Sequence, residues 1–236
     1  MVVVTPRWVR RGATTAALLL VAVMLTACVE ANSQSAIGSD LKGTTKMRVG
    51  VAKVALANLA ANRDADTPGT DDLFNGLTRQ VVALGGTAMP YESGDYTGLD
   101  ILFGFTSLEE MQRQVNTVLG NTADVSGMPG LAGGATGRAN PLVQIRATST
   151  DARVRIDGNV DPLSTINDSS ATSVATGGVN VVGLLSNGGT IALAFRMPGA
   201  IIATDELADT DGTTASWSFD IGDNAATIFV ESQRNA

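Results

Sequence analysis

The first 28 residues decide which part of this chain is left to fold. Three arginines between residues 7 and 11 precede a charge-free run of small and apolar side chains over residues 12–27. A basic region, an apolar region and then a small-residue cleavage site is the order of a secretory signal. The apolar run is shorter than the roughly 20 residues that a membrane-spanning helix needs. We therefore expect residues 1–27 to be removed and residues 28–236 to fold as a single domain.

The end of the apolar run predicts a covalent membrane anchor. It reads Leu25-Thr26-Ala27-Cys28, which resembles a bacterial lipobox, where diacylglycerol alkylates the cysteine and cleavage makes that cysteine the first residue. Cys28 is the only cysteine in the chain, so no disulfide competes for its thiol. We predict that Cys28 is lipidated and holds the protein on the extracytoplasmic face of the cell membrane. The alternative, a transmembrane anchor with an incidental cysteine, is disfavoured by the short apolar run.

The composition removes most catalytic chemistry. The sequence has no histidine, which takes away the usual general base and the commonest metal ligand. Residues 64–72 place carboxylates at alternate positions as a calcium loop does, but Pro68 and Asn75 stand where an oxygen ligand and a bidentate glutamate are needed. We therefore predict no enzymatic activity, no metal site and no cofactor. The alternative is a hydrolase that acts on envelope glycans through carboxylates alone.

The charge balance excludes another class of function. The net charge of the full sequence is −7, and three of its basic residues lie in the leader, so the mature chain is more acidic still. An acidic domain is a poor candidate for non-specific nucleic-acid binding. We predict no nucleic-acid partner.

Alternating apolar residues between turn signals predict strands, and a 3.6-residue period predicts helices. Because hairpins alternate irregularly with helices, we predict an α+β domain with a mainly antiparallel, curved sheet built from hairpins and two or three packed helices. Residues 121–141 are Gly-rich and predicted to be mobile, and the acidic cluster at residues 205–211 is interpreted as a solvated loop. The predicted hairpins are 29–51, 89–106, 142–161 and 216–232, further strands are 179–185 and 190–197, and the helices are 54–62, 70–84 and 108–119, the last opened by a capping box at residues 107–110.

Two groups of basic residues carry the binding hypothesis. They alternate with apolar residues and so point away from the predicted core. Such faces could bind the phosphates of anionic phospholipid or glycolipid near the anchor. The alternative is cross-strand pairing with neighbours such as Asp157 and Asp161, or protection of a sheet edge by charge. The first group is Arg146, Arg153 and Arg155, and the second, weaker one is Lys42, Lys46 and Arg48.

Several short motifs stand in a particular order and spacing along the chain: Cys28, Pro90-Tyr91 with Gly98, Phe103 and Phe105-Thr106, Gly158 with Asp161, Met197-Pro198-Gly199, and Trp217. Taken together, they resemble the LppM-type lipoprotein domain of actinobacteria over the whole mature chain. The resemblance implies a membrane-anchored envelope lipoprotein with a mixed α/β domain and no established enzymatic activity, and it brings no catalytic residues. With it, the sequence favours a non-enzymatic binding module, with a protein-interaction module as a further alternative.

Overall fold

A computed structural model describes residues 29–61, 70–119, 142–162 and 189–234. The leader, Cys28, the Gly-rich segment 121–141, the predicted strand 179–185 and most of the carboxylate-rich loop 64–72 lie outside these residues. In chain order the described elements are β1 (Val29–Ile37), β2 (Gly43–Ala52), α1 (Lys53–Ala61), α2 (Thr70–Ala83), β3 (Thr87–Ser93), β4 (Tyr96–Phe105), α3 (Leu108–Val118), β5 (Val143–Ser149), β6 (Arg153–Val160), β7 (Gly189–Arg196), β8 (Ile201–Thr204), β9 (Asp209–Asp211), β10 (Thr214–Asp220) and β11 (Ala226–Gln233).

Seven strands form a large sheet in the order β3-β4-β2-β1-β7-β10-β9. Neighbouring strands are antiparallel except β1 and β7, which are parallel. The hairpins β1–β2 and β3–β4 confirm two of the sequence predictions. Val29 opens β1 in the middle of this sheet, where it pairs with Val51 on one side and Gly189 on the other. The first residue after Cys28 is thus already part of the fold.

Four strands form a small sheet in the order β5-β6-β11-β8. Its β5–β6 hairpin was predicted, but the predicted hairpin 216–232 is wrong. Its first strand, β10, pairs with β7 in the large sheet, whereas its second strand, β11, pairs with β6 and β8 in the small sheet. The turn after Asp220 therefore carries the chain from one sheet to the other. The domain is α+β as predicted, with two open sheets in place of one.

The two sheets and the helices share one apolar core. Strands β1, β2, β7 and β10 bury alternate side chains, as the period-two pattern predicts, whereas the edge strands β3 and β9 have no buried residue. None of the helices in the described ranges is long and apolar enough to cross a membrane. The largest fully buried side chains include Met47, Leu77, Ile101, Phe103, Met111, Ile156, Ile191 and Ile228.

Helix α3 begins at the predicted cap. The hydroxyl of Ser107 accepts a hydrogen bond from the backbone N–H of Glu110 at 3.2 Å. The Glu110 carboxylate reaches back to the backbone N–H and hydroxyl of Thr106, both at 2.7 Å, rather than to the N–H of Ser107. These hydrogen bonds lower the pKa of Glu110. Together, the hydrogen bonds of Ser107 and Glu110 fix the direction in which α3 leaves β4.

Helix α3 also covers the open edge of β5. The side-chain amide of Asn116 accepts from the N–H of Val143 at 3.0 Å and donates to its carbonyl at 2.8 Å. Gln112 accepts from the N–H of Ile145 at 2.7 Å. Backbone groups of an uncovered edge strand would otherwise be open to pairing with another chain. Two amide side chains on one helix thus take the place of a neighbouring strand.

The acidic cluster at residues 205–211 is not only a solvated loop. Asp209–Asp211 forms β9, the edge strand of the large sheet, and turns through Gly212 into β10. Gly212 has a φ of 59°, in the left-handed region that glycine adopts without strain. The carboxylate of Asp205 is part of the structure as well, because it accepts hydrogen bonds from Trp217 and from the backbone of Phe229. The predicted solvated loop is therefore wrong for Asp205, whose carboxylate has hydrogen-bond donors within the fold.

Candidate functional site

Arg48 lies on the outer face of the large sheet, the face opposite the core. Its guanidinium forms a two-pronged ion pair with Asp100 on β4, with Nε–Oδ1 at 2.8 Å and Nη2–Oδ2 at 3.0 Å. The same guanidinium stacks on the ring of Tyr91, 4.5 Å from its centroid. The hydrogen bonds from Arg48 lower the pKa of Asp100. Arg48 is therefore held by partners on two neighbouring strands and does not offer its full charge to a ligand.

Tyr91 extends this network to the first strand. Its hydroxyl donates a hydrogen bond to Glu30 Oε1 at 2.7 Å, across β4 and β2. The ring can lie flat because Gly98 and Gly50 are beneath it: a Cβ at Gly50 would stand 1.9 Å from the Tyr91 hydroxyl. Burial and the hydrogen bond to Glu30 raise the pKa of Tyr91 above its usual range. Glu30, only two residues after Cys28, is thus fastened to the far edge of the sheet.

The second basic group, Lys42, Lys46 and Arg48, is called the β2 group from here on. Its other two members, Lys42 and Lys46, have different surroundings from Arg48. Lys42 lies in the β1–β2 turn and pairs with Asp40 at 3.1 Å, with both side chains more than half exposed. Lys46 is exposed on β2, and within the described ranges it has no ion pair. In this group Lys46 is therefore the residue most available to an anion.

The arginines of β5 and β6 lie on the outer face of the small sheet, as the alternation predicted. Arg155 holds Asp157 with both Nε and Nη2, the latter at 2.6 Å from Oδ1, and stacks on the ring of Phe229, 4.6 Å from its centroid. Arg153 pairs across strands with Glu231 at 2.8 Å. These two arginines therefore follow the alternative hypothesis, in which the basic residues pair with neighbouring carboxylates. Asp157, however, is on the same strand as Arg155, and the sequence did not predict Glu231 as a partner.

Arg146 differs from its two neighbours. It stands opposite Asp157 in the register of β5 and β6, is exposed, and has no ion pair with any residue that the structure describes. The structure therefore brings the three arginines onto one face, but only Arg146 keeps an unshared charge there. The β2 group lies on the other sheet, so the two groups form two surfaces.

Within the described residues, no three His, Cys, Asp or Glu side chains are placed to hold a metal ion.

The sequence did not predict Tyr91 and Glu30 as partners of the β2 group. It also did not predict Arg196 as a further outward cation at the end of β7. The alternation of Arg196 with the buried Phe195 and Met197 was a signal that it faces outward. Its position beside β1 could not be read, because it depends on a parallel pairing between distant strands.

No protein-family model matches the chain, and no curated protein matches it. Among solved structures it is similar to the NMR structure of the folded domain of the Mycobacterium tuberculosis LppM protein. The two are 12% identical, the match covers 89% of this chain and 92% of that chain, and the TM-score is 0.48. A likeness of this size assigns neither a family nor a function.

Proposed function

We propose that the chain is an envelope lipoprotein, anchored through a diacylglyceryl group on Cys28 to the extracytoplasmic face of the cell membrane. We further propose that its domain is a non-enzymatic binding module for the anionic head groups of phospholipids or glycolipids. The observation that carries the proposal is the position of Val29, which pairs on both sides in the middle of the large sheet. The domain would therefore join its anchor without a linker.

The short connection matters because it sets the local concentration of ligand. A domain tethered one residue from its lipid anchor stays close to the bilayer, where head groups are concentrated, so even a site of millimolar affinity would be occupied. Two acyl chains give the stable anchoring that a single chain does not, since each buried CH₂ contributes about 0.8 kcal/mol.

The charged donors for such a ligand are on the two outer faces. Lys46 and Arg146 are exposed and form no ion pair with a carboxylate among the described residues. Arg48, Arg153 and Arg155 have carboxylate partners, so a phosphate would have to compete with those partners. We expect Lys46 and Arg146 to contribute most to head-group binding.

The anchor is tested by mass spectrometry of the mature N-terminus purified from membranes. The expected species begins at Cys28 and carries the mass of a diacylglyceryl group, and Cys28→Ser should release the protein from the membrane fraction. An unmodified Cys28, or a chain that still begins at Met1, would contradict the anchoring proposal.

Head-group binding is tested with residues 28–236 carrying Cys28→Ser, which contain every strand and helix that the structure describes. Co-sedimentation with vesicles containing an anionic phospholipid should exceed that with neutral vesicles and should fall with salt, because salt screens exposed charges beyond about 10 Å at 0.1 M. Arg146→Ala and Lys46→Ala should weaken it, whereas Arg79→Ala, an exposed arginine of α2, is the control.

Either of two outcomes would contradict the proposed head-group binding and favour another function. Binding that is absent, or that ignores both salt and these residues, would favour a protein-interaction module. Turnover of envelope glycans that a single Asp or Glu substitution abolishes would identify a carboxylate-dependent hydrolase.

A further inference from the structure

A shallow, wide-open cleft of about 350 Å³ lies at the end of the large sheet that is farther from Val29. It is bounded by the last residues of β1, the β1–β2 turn and the last residues of β7. Its lining includes Ile37, Lys42, Thr44, Arg196 and Met197. Two of these are cationic, and nothing in the sequence alone places them together, since Arg196 is more than 150 residues from Lys42.

The strand register explains why the cleft exists. Ala36 on β1 stands between Thr44 on β2 and Arg196 on β7. Strands are about 4.8 Å apart, so the backbones of Thr44 and Arg196 are separated by about 10 Å. The short side chain of Ala36 leaves the space between them unfilled. Thr44 and Arg196 therefore stand on either side of the space above Ala36.

The charges around this space are unbalanced. Arg196 is exposed and has no ion pair within the part of the chain that the structure describes. Lys42 is at the mouth of the same cleft, and its ammonium is 3.1 Å from the carboxylate of Asp40. The hydroxyl of Thr44 adds a neutral donor. A guanidinium, an ammonium and a hydroxyl thus line one cleft, and the carboxylate of Asp40 competes for the ammonium.

We propose that this cleft binds a phosphate group, with Arg196 and Lys42 as charged donors and Thr44 as a hydroxyl donor. A tetrahedral phosphate presents oxygens in several directions, which suits donors on opposite sides of a cleft better than the single plane of a carboxylate does. The inference rests on the proposed function for its class of ligand. It adds Arg196, which belongs to neither basic group, and a binding site at the end of β1 and β7.

The distance between the cleft and the membrane anchor matters for the source of the phosphate. β1 has 9 residues, so its far end is about 27 Å from Val29 along the strand. The same phosphate chemistry is offered by a lipid head group and by a soluble phosphate ester. The experiment therefore has one arm for each source, both with residues 28–236 carrying Cys28→Ser.

In the first arm, sn-glycerol 3-phosphate is titrated into the ¹⁵N-labelled protein and amide shifts are followed. Shifts should centre on Lys42, Thr44 and Arg196. Arg196→Ala should weaken binding about tenfold or more, which corresponds to loss of a charge-assisted pair. Asp40→Asn should strengthen it about threefold, because it removes the competing charge while keeping the side-chain oxygen that accepts from the N–H of Lys42 at 3.3 Å. Arg79→Ala is the control and should change nothing.

In the second arm, vesicles of phosphatidylglycerol are compared with vesicles of phosphatidylcholine. Binding of phosphatidylglycerol that Arg196→Ala weakens supports the cleft with a lipid head group as its source. Shifts at the cleft with the soluble ester alone support the cleft with a soluble source, and remove the lipid from the proposed function.

The two proposals fail separately. Vesicle binding that depends on Arg146 and not on Arg196, without shifts at the cleft, overturns this inference and leaves the proposed function standing. The inference is also overturned if glycerol phosphate causes no shifts at the cleft while phosphatidylglycerol binding is unchanged in Arg196→Ala, or if the shifts persist in Arg196→Ala. An affinity that Asp40→Asn lowers would contradict the role given to that carboxylate.

Discussion

The carboxylate of Asp205 accepts a hydrogen bond from the indole N–H of Trp217, with both oxygens 3.1 Å from Nε1. The same carboxylate accepts from the backbone N–H of Phe229 at 2.7 Å. Trp217 is on β10 of the large sheet and Phe229 is on β11 of the small sheet. The side chain of Asp205, which directly follows β8, therefore joins the two sheets by hydrogen bonds.

Removing this carboxylate should loosen the contact between the sheets. We expect Asp205→Ala to lower the free energy of unfolding by about 2–3 kcal/mol, since two donors lose a charged acceptor. Asp205→Asn should cost less, because it keeps one acceptor oxygen. Urea unfolding followed by the fluorescence of Trp217, the only tryptophan after the leader, measures the effect. Asp209→Ala on the exposed β9 is the control. An equal loss of unfolding free energy in both variants would show that the Asp205 carboxylate does not stabilise the contact between the sheets.

Covering the β5 edge gives a second prediction. Asn116 is only 6% exposed and satisfies both the N–H and the carbonyl of Val143. Asn116→Leu keeps the size of the side chain and leaves both backbone groups without a partner, so we expect a loss of about 2–4 kcal/mol. The amide of Val143 should also exchange faster with solvent. Arg113→Ala, on the exposed side of the same helix, should have little effect. Unchanged exchange at Val143 would mean that α3 does not protect this edge.

The local part of the fold could be predicted from the sequence. Alternation places the buried faces of β2 and β4 correctly, and Ser107 marks the start of α3, because these signals depend on residues that are neighbours in the chain. The hairpin predicted over residues 216–232 failed because a hairpin and a sheet-to-sheet connection give the same pattern, two alternating strands around a Gly turn. Only the pairing partners, β7 for β10 and β6 for β11, distinguish them.

The candidate site was predictable to a smaller extent. Its outward basic residues follow from alternation, but the partners of those residues follow from register. Glu231 lies 78 positions from Arg153, and Arg196 meets β1 only through the parallel β1–β7 pairing. Charge in a sequence therefore shows which residues face solvent, and only the assembled sheets show which of them keep an unshared charge.

Two glycines of β4 make a matched pair for the third prediction. A Cβ at Gly98 would stand 2.0 Å from the carbonyl oxygen of Val49 and 2.9 Å from the ring of Tyr91, whereas Gly104 has no such atom within 4 Å. We expect Gly98→Ala to cost about 3 kcal/mol or more, because backbone must move to admit the methyl group. Gly104→Ala should be neutral or stabilise by about 0.5 kcal/mol. Thermal unfolding of the two variants decides it, and similar melting temperatures would contradict the close approach at Gly98.

The last prediction concerns Tyr91 and alkaline pH. Burial and the hydrogen bond to Glu30 raise the pKa of Tyr91 above its usual value of about 10. The folded state therefore holds this proton more tightly than the unfolded state does. The resulting stabilisation is complete below about pH 10 and is lost as the pH rises from there toward the folded pKa. Below that range, the hydroxyl should contribute about 1 kcal/mol, as a typical hydrogen bond does.

Tyr91→Phe separates this effect from the titration of lysines in the same range. At pH 7 the variant should be less stable than the natural chain by about 1 kcal/mol. As the pH rises above about 10, the natural chain should lose stability more steeply, so the difference between the two should narrow. Urea unfolding at a series of pH values up to about 11 measures that difference. Glu30→Gln tests the cause, because it keeps an acceptor for the hydroxyl but removes the charge that helps to hold the proton. A difference that stays constant with pH would show that Tyr91 ionises as readily in the folded chain as in the unfolded one, and a difference that widens would show that it ionises more readily in the folded chain.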